Sequence, residues 1–99
     1  AANVGRQAQA IRDGLDAINR DLDLFAEVRG RGLMLGAVLK PACAGRAGEI
    51  LDHAAANGLL LLQAGPDVLR FVPALNIGDE DVAEGLSRLR AALQAFSAG

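Results

Sequence analysis

The run Val68-Leu69-Arg70-Phe71-Val72-Pro73 sets a permanent cation inside an otherwise apolar extended segment. Successive strand side chains point to opposite faces, so Val68, Arg70 and Val72 share one face while Leu69 and Phe71 share the other. One face is purely core. The other carries a guanidinium, and burying that charge unpaired would cost several kcal/mol. Arg70 must therefore reach water, an acidic partner or an anionic ligand. Which of the three it meets is the functional question.

The segments around this strand alternate in character. Apolar residues at Val4, Ala8, Ile11, Leu15, Ile18 and Leu22 step by four and three, the stripe of an amphipathic helix, with Asn3 as its expected N-cap. Such a stripe also suits a coiled coil, but three turns without flanking charge pairs favour packing against a sheet. Gly14 weakens the helix by about 1 kcal/mol relative to alanine, so packing compensates or a neighbour approaches closely there.

Phe25 to Leu39 reads as extended chain, with a bulge or bend at Gly30-Arg31-Gly32 and an almost wholly apolar second part from Leu33. A dinucleotide-binding fingerprint is a poor fit, because Gly36 comes one residue late and a strand follows where a helix is required. Lys40-Pro41 ends the strand. A second helix is expected over Ala47 to Asn57, with Ile50, Leu51, Ala54 and Ala55 inward and Gly58 as a left-handed stop. Leu59 to Leu62 reads as a short buried strand. Residues 63 to 67 turn it into the Arg70 strand, making a hairpin closed by Pro73, and Ala74 to Ile77 is an extended connector. A third helix opens at Gly78 or Asp79, with acids in its first turn and a stripe of Val82, Leu86, Leu89, Leu93 and Phe96.

Ninety-nine residues, about half of them apolar, allow one compact domain or a piece of a longer protein. The expected class is α+β, a two-layer sandwich in which a small, mainly antiparallel sheet carries helices on one face and the Arg70 strand lies between its neighbours. The opposite face reads as still apolar. It implies a missing partner, another domain or subunit.

Several functions are excluded at this stage. A net charge of -2, three Phe and no Tyr or Trp leave neither a basic footprint nor a stacking platform for nucleic acid. The longest apolar run, 58–62, is far short of the roughly 20 residues that span a membrane. Cys43 is the only cysteine, which rules out an internal disulfide and suits the cytoplasm. As a nucleophile it has no neighbour to activate it. Glu49 and His53 lie one turn apart, but no further Cys or His completes a metal site.

A resemblance extends this reading. Val28-Arg29-Gly30-Arg31-Gly32-Leu33-Met34-Leu35-Gly36, then Asn57-Gly58-Leu59-Leu60, then Asp67-Val68-Leu69-Arg70-Phe71-Val72-Pro73-Ala74-Leu75-Asn76-Ile77 is similar, in order and spacing, to the C-terminal domain of class III pyridoxal-phosphate aminotransferases. The likeness is greatest to the branch acting on acetylornithine, succinylornithine or succinyldiaminopimelate. It implies a cytoplasmic, usually homodimeric enzyme that moves an amino group from an N-acylated or free ω-amino substrate to 2-oxoglutarate. It also implies that Arg70, the arginine of an arginine-x-x-proline strand, binds a substrate carboxylate.

The family's cofactor lysine, its acid facing the pyridine nitrogen and its phosphate cradle lie in a large domain upstream of position 1. Lys40, the only lysine here, fits none of those roles. The expectation is a C-terminal fragment over residues 1–99, inactive and without pyridoxal phosphate by itself, whose partners are its own large domain and a second subunit. The rival expectation is a free-standing regulatory module that binds an amino acid.

Overall fold

The computed structural model describes residues 2–31, 34–71 and 78–99. Helix α1 (Ala2–Leu22) is followed by strands β1 (Phe25–Arg31) and β2 (Met34–Leu39), and a 3-10 turn (Pro41–Cys43) leads into α2 (Ala47–Ala56). Strands β3 (Leu62–Gln63) and β4 (Val68–Phe71) and helix α3 (Asp79–Ala98) complete the order. All pairings in the sheet are antiparallel, in the order β1-β2-β4-β3. The fold is a two-layer α+β sandwich, and the Arg70 strand lies between its neighbours as the sequence suggests.

The covered face is built from the apolar stripes. Leu35, Ala37, Leu39, Leu69 and Phe71 of the sheet join Leu15 and Ile18 of α1, Ile50 of α2, and Leu89, Leu93 and Phe96 of α3 in one buried cluster. Burial of each such side chain is worth about 1.5–3 kcal/mol, so this cluster is the main source of stability. Gly14 marks a close crossing of α1 and α3: a Cβ there would stand 2.5 Å from Leu86 Cδ1. A neighbour thus approaches closely at the glycine, the second of the two readings its position allowed.

Besides Ala55, which is exposed and not inward on α2, four local expectations are corrected. Helix α1 already runs through Asn3, so that residue is not its N-cap. Phe25 to Leu39 is not one bulged strand; β1 and β2 pair antiparallel from Phe25↔Leu39 to Arg31↔Met34, and the register irregularity falls between Phe25 and Glu27. Glycine clustering marked the end of the pairing, where Gly30 adopts φ 93, and not a kink within it. Gly32 and Leu33 lie outside the described residues, as do Val72 to Ile77 and with them the expected Pro73 stop and 74–77 connector.

The third correction concerns Leu59 to Leu62, expected as a buried strand. Gly58, φ 74, donates to Ala55 O and Leu59 to Ala54 O, so Leu59 belongs to the C-terminal cap of α2. Pairing with β4 starts only at Leu62, and Leu60 and Leu62 are 91% and 57% exposed. The hairpin itself is present. Lastly, the uncovered sheet face is not uniformly apolar: it carries Glu27, Arg29 and Arg70 beside Val38, Val68 and Leu62.

The link from α1 to β1 depends on one amide. Asn19 Oδ1 accepts from the backbone amides of Leu24 (2.7 Å) and Phe25 (2.8 Å), while its Nδ2 donates to Phe25 O (3.0 Å). Asp23, at φ 50, makes the turn between them. The free edge of β1 is closed from α1, because Arg12 donates to the carbonyl oxygens of Val28 and Gly30. An edge without such cover would invite pairing with another chain.

Candidate functional site

The register of three strands assembles the site. On β4 Arg70 faces away from the helices, opposite Gly36 of β2 on one side and Leu62 of β3 on the other. Gly36 in turn lies opposite Arg29 of β1. The row across the uncovered face is therefore Arg29, Gly36, Arg70, Leu62.

Arg29 reaches this row because of the irregularity at the start of β1. Phe25 is buried opposite Leu39, and strict alternation from it would turn Glu27 and Arg29 toward the helices. The extra residue, Ala26, shifts the phase by one. Val28 then packs against the core, and Glu27 and Arg29 point outward.

Between the two arginines the surface is open. Arg29, Gly30, Gly36, Ala64, Val68 and Arg70 line a shallow pocket of about 250 Å³. A side chain at position 36 would fill its floor: a Cβ there would lie 3.5 Å from Val68 Cγ1 and 3.9 Å from Arg29 Cγ.

Charge pairing separates the arginines. Arg90 binds Asp21 at 2.7 Å, Arg88 binds Glu84 and the carbonyl of Asn57, and Arg29 is loosely paired with Glu27 at 3.7 Å. Arg46 grips Glu49 at 2.8 and 3.0 Å and lies over the Phe96 ring at 4.4 Å. Those hydrogen bonds hold the Glu49 carboxyl below the usual glutamate range. Glu49 is thereby engaged away from His53, which instead meets Phe96 edge-on. Arg70 is exposed and, among the described residues, has neither a hydrogen-bond nor an ion-pair partner.

The other candidates fall away from this pocket. Lys40 Nζ is bonded to Asp23 Oδ2 at 3.1 Å, and Lys40 follows the end of β2, four residues and about 13 Å of extended chain from Gly36. Cys43 is buried in the core cluster. No group of three or more His, Cys, Asp or Glu among the described residues could hold a metal, and no described helix is long and apolar enough to cross a membrane.

Arg29 lies in segment 28–36, which shows nothing by itself of a link to Arg70. Its proximity to Arg70 depends on pairing register, which the sequence does not display.

Comparison with known proteins identifies the lineage of this scaffold. The profile of the Aminotransferase class-III family matches residues 1–93. The chain is 66% identical over 98 residues to the acetylornithine aminotransferase of Xanthomonas campestris pv. campestris, covering 99% of this chain and 24% of that protein. Against the Neisseria meningitidis serogroup B enzyme of the same name it is 49% identical over 96 residues, 97% of this chain and 24% of the relative.

Among solved structures, N-acetylornithine aminotransferase from Stenotrophomonas maltophilia K279a superimposes with a TM-score of 0.95 at 70% identity, over 98% of this chain and 27% of that one. An acetylornithine aminotransferase from Elizabethkingia anophelis, only 20% identical, shares the fold with a TM-score of 0.85 over 94% of this chain and 24% of its own. The chain thus spans about a quarter of the length of the curated relatives it matches. With a family profile that matches nearly its whole length, this chain belongs to the class III aminotransferases.

Proposed function

We propose that these 99 residues are the C-terminal domain of a pyridoxal-phosphate aminotransferase and that their contribution to its active site is Arg70, the clamp for a substrate carboxylate. One observation carries the reading: Arg70 lies on the uncovered face of an inner strand, beside an open glycine floor, with no partner among the described residues. A guanidinium grips a carboxylate through two parallel hydrogen bonds, which fix orientation as well as position. Orientation matters for rate, because the bond to be broken must be aligned with the reacting group.

The overall reaction is transfer of an amino group from an N-acylornithine-like ω-amino substrate to 2-oxoglutarate. Pyridoxal phosphate, when bound, supplies the electron sink for that transfer. The residues that hold it belong to the rest of the parent protein, because the only lysine of this chain, Lys40, follows β2 about 13 Å of strand away from Gly36, at the other end of the sheet from Arg70. The 99-residue chain alone is inactive and works with its own large domain and a second subunit, in the cytoplasm. A cofactor absorbance band that survived dialysis of the isolated chain and vanished in Lys40→Ala would overturn that part.

The test of the clamp is Arg70→Lys in the full-length parent. A point charge cannot reproduce a two-pronged grip, so kcat/KM falls by roughly a hundredfold, the equivalent of losing a charge-assisted bond, while the melting temperature stays put. Unchanged kinetics, or a collapsed fold, would make Arg70 a structural residue.

A further inference from the structure

We infer that Arg29 is a second anion-positioning residue of the Arg70 pocket, held back by Glu27, and that it selects dicarboxylate over monocarboxylate amino acceptors. The inference rests on the reading of Arg70 as a carboxylate clamp, and it concerns a different residue on a different strand.

Three observations carry it. Arg29 and Arg70 occupy the same cross-strand row with only Gly36 between them, so their backbones stand about 10 Å apart, twice the strand spacing. The residue between them has no side chain, and the pocket floor it leaves is lined by both arginines. A phase shift at Ala26 turns Arg29 to this face, and its side chain is 59% exposed.

The existing partner of Arg29 is a weak competitor. Glu27 stands two residues away on the same strand face, at 3.7 Å, with a side chain 55% exposed. Exposed pairs of this kind contribute little, since water and salt screen them and two long side chains must be held still. An anion in the pocket therefore displaces Glu27 at small cost. Arg70 binds one carboxylate by its fork, and Arg29 acts on the second negative charge as a field and a flexible donor. A monocarboxylate offers it nothing to act upon.

Steady-state kinetics of the full-length parent with 2-oxoglutarate and with pyruvate as acceptor test this. In Arg29→Gln, KM for 2-oxoglutarate rises roughly five- to twentyfold while kcat holds and pyruvate constants move by less than about twofold, the asymmetry expected of a lost partly screened charge. Arg29→Lys retains most of the preference, because a field needs charge and not a fork. Glu27→Gln works in the opposite direction and lowers KM for 2-oxoglutarate.

Equal effects on both acceptors, or none on either, overturn the role of Arg29 and leave it a surface ion pair. Should Arg29→Gln disturb the melting temperature, the Glu27→Gln arm decides: an unchanged acceptor preference there refutes the proposal. Failure of the clamp is separable. Normal kinetics in Arg70→Lys would remove both readings, whereas an impaired Arg70→Lys beside an indifferent Arg29→Gln removes only this one.

Discussion

Leu69 and Arg70 are neighbours in the chain and opposites in environment. Leu69 has no exposed surface and sits among side chains of the helix layer, whereas Arg70 looks out over a shallow pocket floored by Gly36. The same antiparallel pairing positions both, opposite Ala37 and Gly36 respectively. One strand thus divides by parity: even-numbered positions face the open side of the sheet, odd-numbered positions face the core. The difference teaches that register decides which side chains the open face presents. A slip of one residue would exchange the two faces, burying a charge and exposing a core leucine.

The largest effect is expected on the covered side. Leu69→Ala should cost about 2–5 kcal/mol through lost transfer energy and the cavity it leaves. Urea unfolding of the chain would register it as a lower midpoint at unchanged slope. A loss under about 1 kcal/mol would mean that the helix layer does not hold the strand in place.

Much of this fold was legible in the sequence because its signals are local. The periodic stripes of α1 and α3 predicted helices and most of their buried residues, though not Gln7 or Ala92, and Gly58 predicted a left-handed stop that appears at φ 74. Alternation in 68–71 predicted which face Arg70 would take. The misreadings have a common cause in competition between local and tertiary partners. Leu59 looks like a strand residue, yet its amide completes the cap of α2. Phe25 to Leu39 looks like one strand because glycines permit a bend and a chain reversal equally well. Arg12 and Asn19 hold β1 by side-chain bonds that no periodicity announces.

On the uncovered side, Gly36→Ala sharpens the contrast. Its backbone is not in the left-handed region, and the new Cβ would make only ordinary contacts, the nearest at 3.5 Å. Replacing glycine within a strand gains backbone entropy, so stability should hold or rise by up to about 1 kcal/mol. The methyl nonetheless occupies the floor between the two arginines. In the full-length parent, KM for 2-oxoglutarate should rise several-fold with the melting temperature unchanged or higher. A destabilised fold with normal kinetics would reverse the assignment of the two faces.

The smallest effect belongs to the outer surface of the helix layer, and it sets the scale for the others. Hydrogen bonds from Arg46 hold the carboxyl of Glu49 below its ordinary value, which for a free glutamate is about 4.3. A carboxyl depressed by folding contributes stability that is present above its unfolded pKa and is lost as pH falls through its folded one. Wild type should therefore exceed Glu49→Gln slightly at neutral pH, and the gap should close as the solution is acidified below the ordinary glutamate range. Because the pair is largely in water, screening keeps that gap far below the Leu69→Ala loss. Urea midpoints across an acid titration would measure both. A Glu49→Gln shift rivalling that of Leu69→Ala would mean that surface charge, and not the covered face of the sheet, dominates the stability of this domain.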